Sequence, residues 1–197
     1  MEFLYNKMHK IDRKLCVGKE YKDPGMDSTE QEAAHKTDVR LQARTRHLAD
    51  AFNAAGPVKK IEVLDACYLV LPADSSEGGA GRSETGAYFV ESFVAGEFVK
   101  HNSNTGWVGN AGDDGAVAAD HIRQTPQSFS YFTWHYTSGA ETVTDVQGVA
   151  DLYTDPQIHS LAGLVLGGEP YGAGDMGRKG MLAFLSTHVY SVVDAHL

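Results

Sequence analysis

A long segment in the first third of the chain, apolar on one side, constrains the fold most strongly. Asp27 and Ser28 can each cap a helix, and Glu30 and Gln31 follow in its favourable first turn. Apolar residues then recur three, four or seven positions apart. They are Ala34, Leu41, Leu48, Phe52 and Ala55. A helix stop follows at residues 56–57, a glycine and then a proline. The sequence therefore predicts one long helix with a single apolar face.

Shorter patterns predict the remaining elements. The expected strands are 16–20, 61–71, 88–93 and 142–149, and the run 61–71 is apolar enough to be central in a sheet. The expected helices are 124–136 and a last one from about residue 180. One face of that last helix would carry Met181, Leu185, His188, Val189 and Val192. Loops are expected at 72–86 and 109–120. This order of strands and helices predicts the α+β class.

Composition excludes several classes of protein. The chain has 197 residues and a net charge of −9, which disfavours general binding to nucleic acid or to anionic membranes. No apolar run approaches the roughly 20 residues that span a bilayer. Cys16 and Cys67 are too far apart in sequence to form a disulfide framework. We therefore expect a single-core, cytoplasmic protein.

The densest group of polar residues surrounds a predicted strand near residue 145. On a strand, Asp145 and Gln147 would point the same way, about 6.6 Å apart along the chain. Asp155 follows beyond a turn at Gly148 and could fold back toward them. Their oxygen atoms suit Mg²⁺, and a carboxylate free of the metal could orient or deprotonate a hydroxyl group. An exposed polar strand that ends in an Asp-Pro turn would give the same pattern.

Two further features are compatible with phosphate chemistry. Gly172, Gly174 and Gly177 precede the last helix, where backbone amides can hold an anion, although a simple helix-entry loop fits equally well. Lys19 lies within a predicted strand and could face a cleft or simply be solvated. The nine histidines show no spacing typical of zinc ligands.

Three runs of sequence resemble the alpha-kinases, a family of atypical serine/threonine protein kinases. They are TPQSFSYFT at 125–133, VTDVQGVADLYTDPQIHS at 143–160 and YGAGDMGRKGM at 171–181. Residues 38–42 and 96–104 support the resemblance, which extends from about residue 17 to residue 188. It implies a two-lobed α+β fold that binds ATP between its lobes. The N-lobe would cover about 15–90 and the C-lobe about 91–197, with residues 1–14 unassigned.

The resemblance also implies roles for individual residues. Lys19 matches the lysine that contacts the ATP phosphates, and Glu91 matches a hinge glutamate beside the adenine. Asp145 matches the catalytic aspartate that positions the substrate hydroxyl, whereas Gln147 and Asp155 match the magnesium ligands.

Two more groups are implied by the same resemblance. The glycines Gly172, Gly174 and Gly177 match a C-lobe motif that shapes the nucleotide and peptide region. A pocket that binds a phosphorylated residue would be formed by Lys59, Arg123 and Thr125.

The chain departs from the family pattern at three places. The positions of the family's four zinc ligands are occupied here by Tyr131, His188, Tyr190 and Asp194, so only one ligand, His188, is retained. We therefore expect no zinc and a lost zinc module. No segment before Lys19 resembles the family's nucleotide-covering β-hairpin, so we expect a truncated N-lobe. Asp175 replaces the usual asparagine of the glycine motif and would add a negative charge near the phosphates.

These observations predict an ATP- and Mg²⁺-dependent kinase that phosphorylates serine or threonine in proteins and can bind a phosphopeptide in a regulatory pocket. The alternative is a catalytically impaired relative that only binds nucleotide or phosphopeptide. The missing hairpin and the lost zinc ligands favour that alternative. An incomplete N-terminus, with the hairpin upstream of the given sequence, would also explain the missing hairpin.

Overall fold

A computed structural model describes residues 2–7, 10–21, 25–70, 87–109, 120–161 and 171–196. The loops expected at 72–86 and, apart from its two end residues, at 109–120 lie outside the described residues. The first half contains β1 (Glu2–Lys7), β2 (Lys10–Lys19), α1 (Ser28–Ala54), β3 (Glu62–Val63), β4 (Ala66–Val70), β5 (Ala87–Ser92) and β6 (Phe98–Lys100). The second half contains α2 (Asp120–Tyr136), β7 (Glu141–Thr144), β8 (Gln147–Val149), β9 (Leu152–Thr154), β10 (Gln157–Ser160), α3 (Gly177–Thr187) and a 3₁₀ turn (Asp194–His196). Helices occur together with runs of mainly antiparallel strands, as the α+β prediction required.

The described strands form three sheets. An antiparallel sheet has the order β1-β2-β5-β4, a second has the order β3-β9-β8-β6, and β7 pairs with β10. The strands β3 and β9 are parallel, whereas the other described pairs are antiparallel. Helix α1 packs against β4 and β5 of the first sheet and against β3 of the second, whereas α2 packs against β7 and α3 against β10. None of the described helices is both long and apolar enough to cross a bilayer.

The long helix confirms its prediction. It begins after Asp27, whose carboxylate accepts the N–H groups of Thr29 and Glu30, and the Glu30 carboxylate accepts Asp27 N–H in return. Its apolar face packs against α2, where the Phe52 ring lies 5.5 Å from the rings of Phe129 and Phe132. These three rings belong to the hydrophobic core, and their contact fixes the position of α1 against α2.

The run 61–71 does not form one central strand, so that prediction is wrong. It divides into β3 and β4, each at the end of its own sheet. The break lies where Leu64 O accepts a hydrogen bond from Gln42 on α1 and where exposed Asp65 pairs with Arg46. Contacts with the helix therefore direct the two halves of an apolar run into different sheets.

The predicted strand 142–149 is also interrupted. Asp145 has a φ of 57°, a left-handed conformation that aspartate tolerates better than most residues, and the strand ends there and resumes as β8. The other helices differ from prediction at their ends. Helix α2 begins four residues early and contains Pro126, and α3 ends at Thr187, so Val189 and Val192 are 82% and 63% exposed.

A β-hairpin that the sequence did not predict precedes Lys19. Strands β1 and β2 pair antiparallel from Glu2 opposite Leu15 to Lys7 opposite Lys10. The polar residues of this segment hid the strands in the sequence, because pairing between backbones requires no continuous apolar run. The strand that carries Lys19 is accordingly twice the length of the predicted one.

Candidate active site

Lys19 lies at the end of β2, where it faces carboxylates from two other elements. Its Nζ atom is 2.6 Å from Glu91 Oε1 and 2.5 Å from Asp155 Oδ1. Burial lowers the pKa of Lys19, but hydrogen bonds to Asp155 and Glu91 outweigh that effect and leave the pKa raised. Lys19 therefore carries a positive charge between two acidic groups and is not the merely solvated lysine that its sequence position also allowed.

Glu91 is the buried member of this group. It lies near the end of β5, is 6% exposed, and accepts a hydrogen bond from Thr154 Oγ1 and another, at 3.4 Å, from Gln42 Nε2. These donors come from β9 and α1, so one carboxylate joins strands of both sheets to the long helix. After Ser92 the chain leaves the first sheet and continues to β6 in the second, which is the position expected of a hinge.

Asp145, Gln147 and Asp155 come together as the sequence predicted, but for a different reason. A regular strand does not align them, because Asp145 interrupts it. Instead, β8 and β9 form a hairpin in which Gln147 pairs with Thr154, and this brings Asp155 back beside Gln147. Gln147 Nε2 is 3.4 Å from Asp145 Oδ2 and 3.2 Å from Asp155 O. The structure therefore shows a compact polar cluster and not the exposed polar strand with an Asp-Pro turn that the sequence also allowed.

Lys100 belongs to the same cluster, although sequence reasoning assigned it no role. It ends β6, pairs with Gln147 on β8, and places its Nζ atom 2.5 Å from Asp145 Oδ1. A lone lysine on a three-residue strand gives no local signal of function. Only the pairing of β6 with β8, which joins segments almost 50 residues apart, brings it to Asp145.

The electrostatics of the cleft favour an additional cation. Three carboxylates, which we call the cleft carboxylates (Glu91, Asp145 and Asp155), face two lysines, Lys19 and Lys100. Burial raises the pKa of Asp155; the hydrogen bond from Lys19 lowers it, while the nearby charges of Glu91 and Asp145 raise it further, and the net result is a raised pKa. A cation beside Asp155 would relieve this repulsion.

The oxygen donors of the cluster fit Mg²⁺. The amide nitrogen of Gln147 is turned toward Asp145 and Asp155, so its Oε1 atom is left to accept from another partner, and no described residue donates to it. An amide oxygen beside a carboxylate is a hard donor set. No three His, Cys, Asp or Glu side chains among the described residues form a metal-binding group by themselves, so such a site would depend on Gln147 and on oxygens of a ligand.

Two cavities meet at Lys19 and Asp155. One, of about 360 Å³, is lined mainly by apolar residues of β2, the hinge and the β8–β9 hairpin, including Val17, Phe93 and Val149. The other, of about 280 Å³, is lined by polar residues that include Asp145, Gln147 and Gln157. An elongated ligand with a flat apolar end and an anionic end would match this pair, with the anionic end beside Lys19.

The glycine loop lies at the edge of the polar cavity. A side chain at Gly174 would collide with Gln157, which lines that cavity, and Gly172 and Gly177 have φ values of 80° and 57°. The Asp175 carboxylate accepts hydrogen bonds from Ser160 N at 2.9 Å, Gly177 N at 2.8 Å, Ser160 Oγ and Tyr171 N. Asp175 therefore fastens the loop to β10, and it accepts the hydrogen bond of the Gly177 N–H group at the start of α3.

The predicted phosphate pocket is only partly described. Lys59 follows α1 and pairs with Asp151 at 2.9 Å, and Thr125 is buried within α2. The side chain of Arg123 lies outside the described residues. No hydrogen bond or ion pair between Lys59 and Thr125 occurs in the part of the chain that is described. The pocket remains a prediction.

The four residues at the family's zinc positions pack together, and we call them the C-terminal anchor (Tyr131, His188, Tyr190 and Asp194). The His188 ring stacks on Tyr131 with centroids 4.7 Å apart, and Tyr190 meets Tyr131 edge-on at 6.0 Å. His188 Nε2 is 3.4 Å from Asp194 Oδ2. Aromatic stacking and a buried carboxylate thus hold the chain after α3 against α2. The absence of zinc remains a prediction.

Comparison with known proteins gives concordant matches. A model of the alpha-kinase family matches residues 2–193. Eukaryotic elongation factor 2 kinase of Caenorhabditis elegans is 38% identical over 151 residues, which make up 77% of this chain and 17% of that protein. Myosin heavy chain kinase B of Dictyostelium discoideum is 37% identical over 161 residues, or 81% of this chain and 19% of that protein. The chain spans less than a fifth of the length of these two relatives.

A solved structure has the same fold. It is the inactive alpha-kinase domain of myosin-II heavy chain kinase A complexed with ATP, with a TM-score of 0.69 and 33% sequence identity. The match covers 89% of this chain and 60% of that chain. The predicted alpha-kinase fold is therefore confirmed.

Proposed function

The chain belongs to the alpha-kinase family, and from that premise we propose that it transfers the γ-phosphoryl group of ATP, with Mg²⁺, to serine or threonine side chains of proteins. The observation that carries this proposal is the contact of Lys19 with Asp155, beside Asp145 and Gln147. It supports the proposal because a cation suited to phosphate, oxygens suited to a metal ion and a candidate catalytic carboxylate share one cleft.

Nucleotide binding follows from the two cavities. The adenine would enter the apolar cavity beside Glu91 and the hinge, and the phosphates would extend past Lys19 toward the polar cavity. Lys19 lines both cavities, so its ammonium group can contact phosphate oxygens held between them. The match to an ATP complex of a family member supports this orientation.

Metal binding would involve Gln147 Oε1 and the Asp155 carboxylate. Mg²⁺ held there would neutralise charge on phosphate oxygens. The residues of the chain fix this environment, because the β8–β9 hairpin sets the separation between Gln147 and Asp155. Burial and the nearby charges of Glu91 and Asp145 raise the pKa of Asp155 despite its contact with Lys19, and a further cation would act against that shift.

Asp145 would act on the acceptor hydroxyl. Its side chain is 17% exposed at the polar cavity, so it can accept a hydrogen bond from a serine or threonine that enters from that side. Lys100, whose Nζ atom is 2.5 Å from Asp145 Oδ1, limits the rotation of this carboxylate. The chemistry is therefore mainly positioning and charge neutralisation, as is general for phosphoryl transfer.

We further propose that Lys59, Arg123 and Thr125 form a site for a phosphorylated residue of a protein partner. The basic and hydroxyl groups suit a phosphoanion. A phosphoanion at this site would have to displace the Asp151 carboxylate, which pairs with Lys59.

The alternative is a relative that binds nucleotide or phosphopeptide without transferring phosphate. The two functions are separated by measuring ATP binding and phosphoryl transfer on the same preparation. A kinase binds ATP and labels a protein substrate from radiolabelled ATP, whereas a pure binder takes up ATP or phosphopeptide without turnover.

Asp145→Ala is expected to abolish transfer while leaving the fold intact, because Asp145 contacts the reacting hydroxyl and carries little of the core. We expect a loss on the order of 1,000-fold or more, as is general for removing a group that acts at the reacting centre. Circular dichroism and the unfolding midpoint provide the control. Wild-type activity in this variant would contradict the assignment.

A further inference from the structure

The residue that follows Asp145 is held at both its N–H and its C=O group by one short segment. His101 N–H donates to Val146 O at 2.9 Å, and Asn102 Oδ1 accepts a hydrogen bond from Val146 N–H, also at 2.9 Å. The Val146 side chain is 1% exposed and belongs to the core. The backbone next to the candidate catalytic carboxylate cannot shift without breaking these contacts.

Asn102 is in turn fastened to helix α2. Its side chain is 1% exposed, and Nδ2 donates to Gln127 Oε1 at 2.7 Å and to Ser130 Oγ at 3.0 Å. An asparagine amide offers two donor hydrogens and an acceptor oxygen, and here all of them are used. Asn102 therefore connects the strand break at Asp145 to a buried helix.

The conformation of Asp145 requires such a connection. Its φ of 57° lies in the left-handed region, which residues other than glycine retain only when their surroundings hold them there. If the Asn102 amide were removed, the buried N–H of Val146 would lose its acceptor, and the peptide would turn to find another. The Asp145 carboxylate would then move relative to Lys100 and Gln147.

We propose that Asn102 is a positioning residue for phosphoryl transfer, acting through the Val146 peptide on the Asp145 carboxylate. This role rests on the proposed kinase function and deepens it. Asn102 lines neither of the two cavities, so it acts without touching the nucleotide or the acceptor.

Three variants test this role. Asn102→Leu keeps the volume but removes every hydrogen bond, and we expect kcat to fall on the order of 100-fold, with KM for ATP unchanged. Asn102→Asp keeps an acceptor for Val146 N–H, and the Gln127 amide can rotate to donate to the second oxygen. We expect this variant to restore kcat toward the wild-type value even though a buried charge lowers its unfolding midpoint. Ser130→Ala is the matched control, because it removes one contact on the helix side and leaves Asn102 bonded to Val146.

The outcomes separate positioning from simple support of the fold. If Asn102→Leu keeps the wild-type kcat per folded molecule, or if Asn102→Asp loses as much kcat as Asn102→Leu, the positioning role is wrong. If the wild-type chain transfers no phosphate, the proposed function fails, and hydrogen exchange at the Val146 amide then decides the positioning role. Exchange should accelerate in Asn102→Leu and stay slow in Asn102→Asp and Ser130→Ala, and equal exchange in all variants would overturn the role.

Discussion

Carboxylates serve different purposes in the cleft and in the C-terminal anchor. In the cleft, the side chains of Asp145 and Asp155 are 17% and 40% exposed, and their lysine partners are 42% and 33% exposed. In the anchor, the Asp194 side chain is fully buried and its partner His188 is 5% exposed. Water and ligands can reach the first set of charges and not the second.

This difference shows what exposure contributes to a charged pair. A half-exposed lysine can exchange a carboxylate for a phosphate at modest cost, because water compensates the charges during the exchange. A fully buried carboxylate has no such alternative, so its hydrogen bonds hold the structure and do not serve chemistry. The cleft is accordingly suited to binding and turnover, and the anchor to fixing the chain after α3.

The largest effect that sharpens this comparison is expected from Lys19→Met. The substitution removes the partner of Glu91 and Asp155, so we expect loss of phosphoryl transfer and a decrease in the free energy of unfolding of about 2 kcal/mol. Transfer from radiolabelled ATP and urea denaturation measure the two effects.

Lys36→Met is its matched control. Lys36 pairs with Glu32 on the surface of α1, with both side chains largely exposed, and its loss should leave the free energy of unfolding almost unchanged. Equal stability and equal activity of the two variants would show that the Lys19 pairs are no different from surface pairs.

A smaller effect, on stability alone, is expected from Asp194→Asn. Burial raises the pKa of Asp194, but hydrogen bonds from His188 and Ser191 outweigh it, so the folded-state pKa lies below the ordinary 3.8. The carboxylate therefore contributes stability above pH 3.8, and that stability is lost as the pH falls through the folded-state pKa. At pH 7 the substitution should cost about 2 kcal/mol and leave kcat unchanged.

Denaturation of wild type and variant across the acid range checks the sign of this effect. The difference in the free energy of unfolding between wild type and Asp194→Asn should narrow only below pH 3.8. The exposed Asp50 of α1 supplies the control, since Asp50→Asn is a surface substitution that should have little effect on the free energy of unfolding. A difference for Asp194→Asn that stays constant into strong acid would mean that the charge of Asp194 does not stabilise the anchor.

The smallest expected effect is that of a chelator. If aromatic packing replaces metal in the C-terminal anchor, EDTA should not alter the unfolding midpoint, and metal analysis should find no zinc in the purified chain. One zinc per chain would overturn the interpretation of Tyr131, Tyr190 and Asp194.

Local signals made part of the fold predictable. Helix α1 is specified by residues within and next to it, namely a capping aspartate, a periodic apolar face and a glycine-proline stop. The division of 61–71 between two sheets depends on Gln42 and Arg46, which lie about 20 residues away on that helix. The strands of the N-terminal hairpin lack a continuous apolar pattern. For the run 61–71 and for the hairpin, contacts with distant residues or between backbones determine the strands, and local propensity cannot predict such contacts.

The candidate site divides in the same way. Family resemblance selected Lys19, Glu91, Asp145, Gln147 and Asp155, and the structure brings these five together. Strand alternation also predicted that Asp145 and Gln147 would meet, but the left-handed turn at Asp145 shows that this reason was wrong. Lys100 and Asn102 lie in the run 96–104 that supports the resemblance, but the sequence assigned neither a role, because their contacts with Asp145, Gln127 and Val146 join residues more than 20 positions apart.

Phosphoamino-acid analysis of the intact chain, after incubation with radiolabelled ATP, Mg²⁺ and a general protein substrate, tests the central claim most directly. We predict labelled phosphoserine or phosphothreonine with the wild-type chain and none with Asp145→Ala. ATP binding by the wild-type chain without any labelled amino acid would contradict the claim and would favour a protein that binds nucleotide without transferring phosphate.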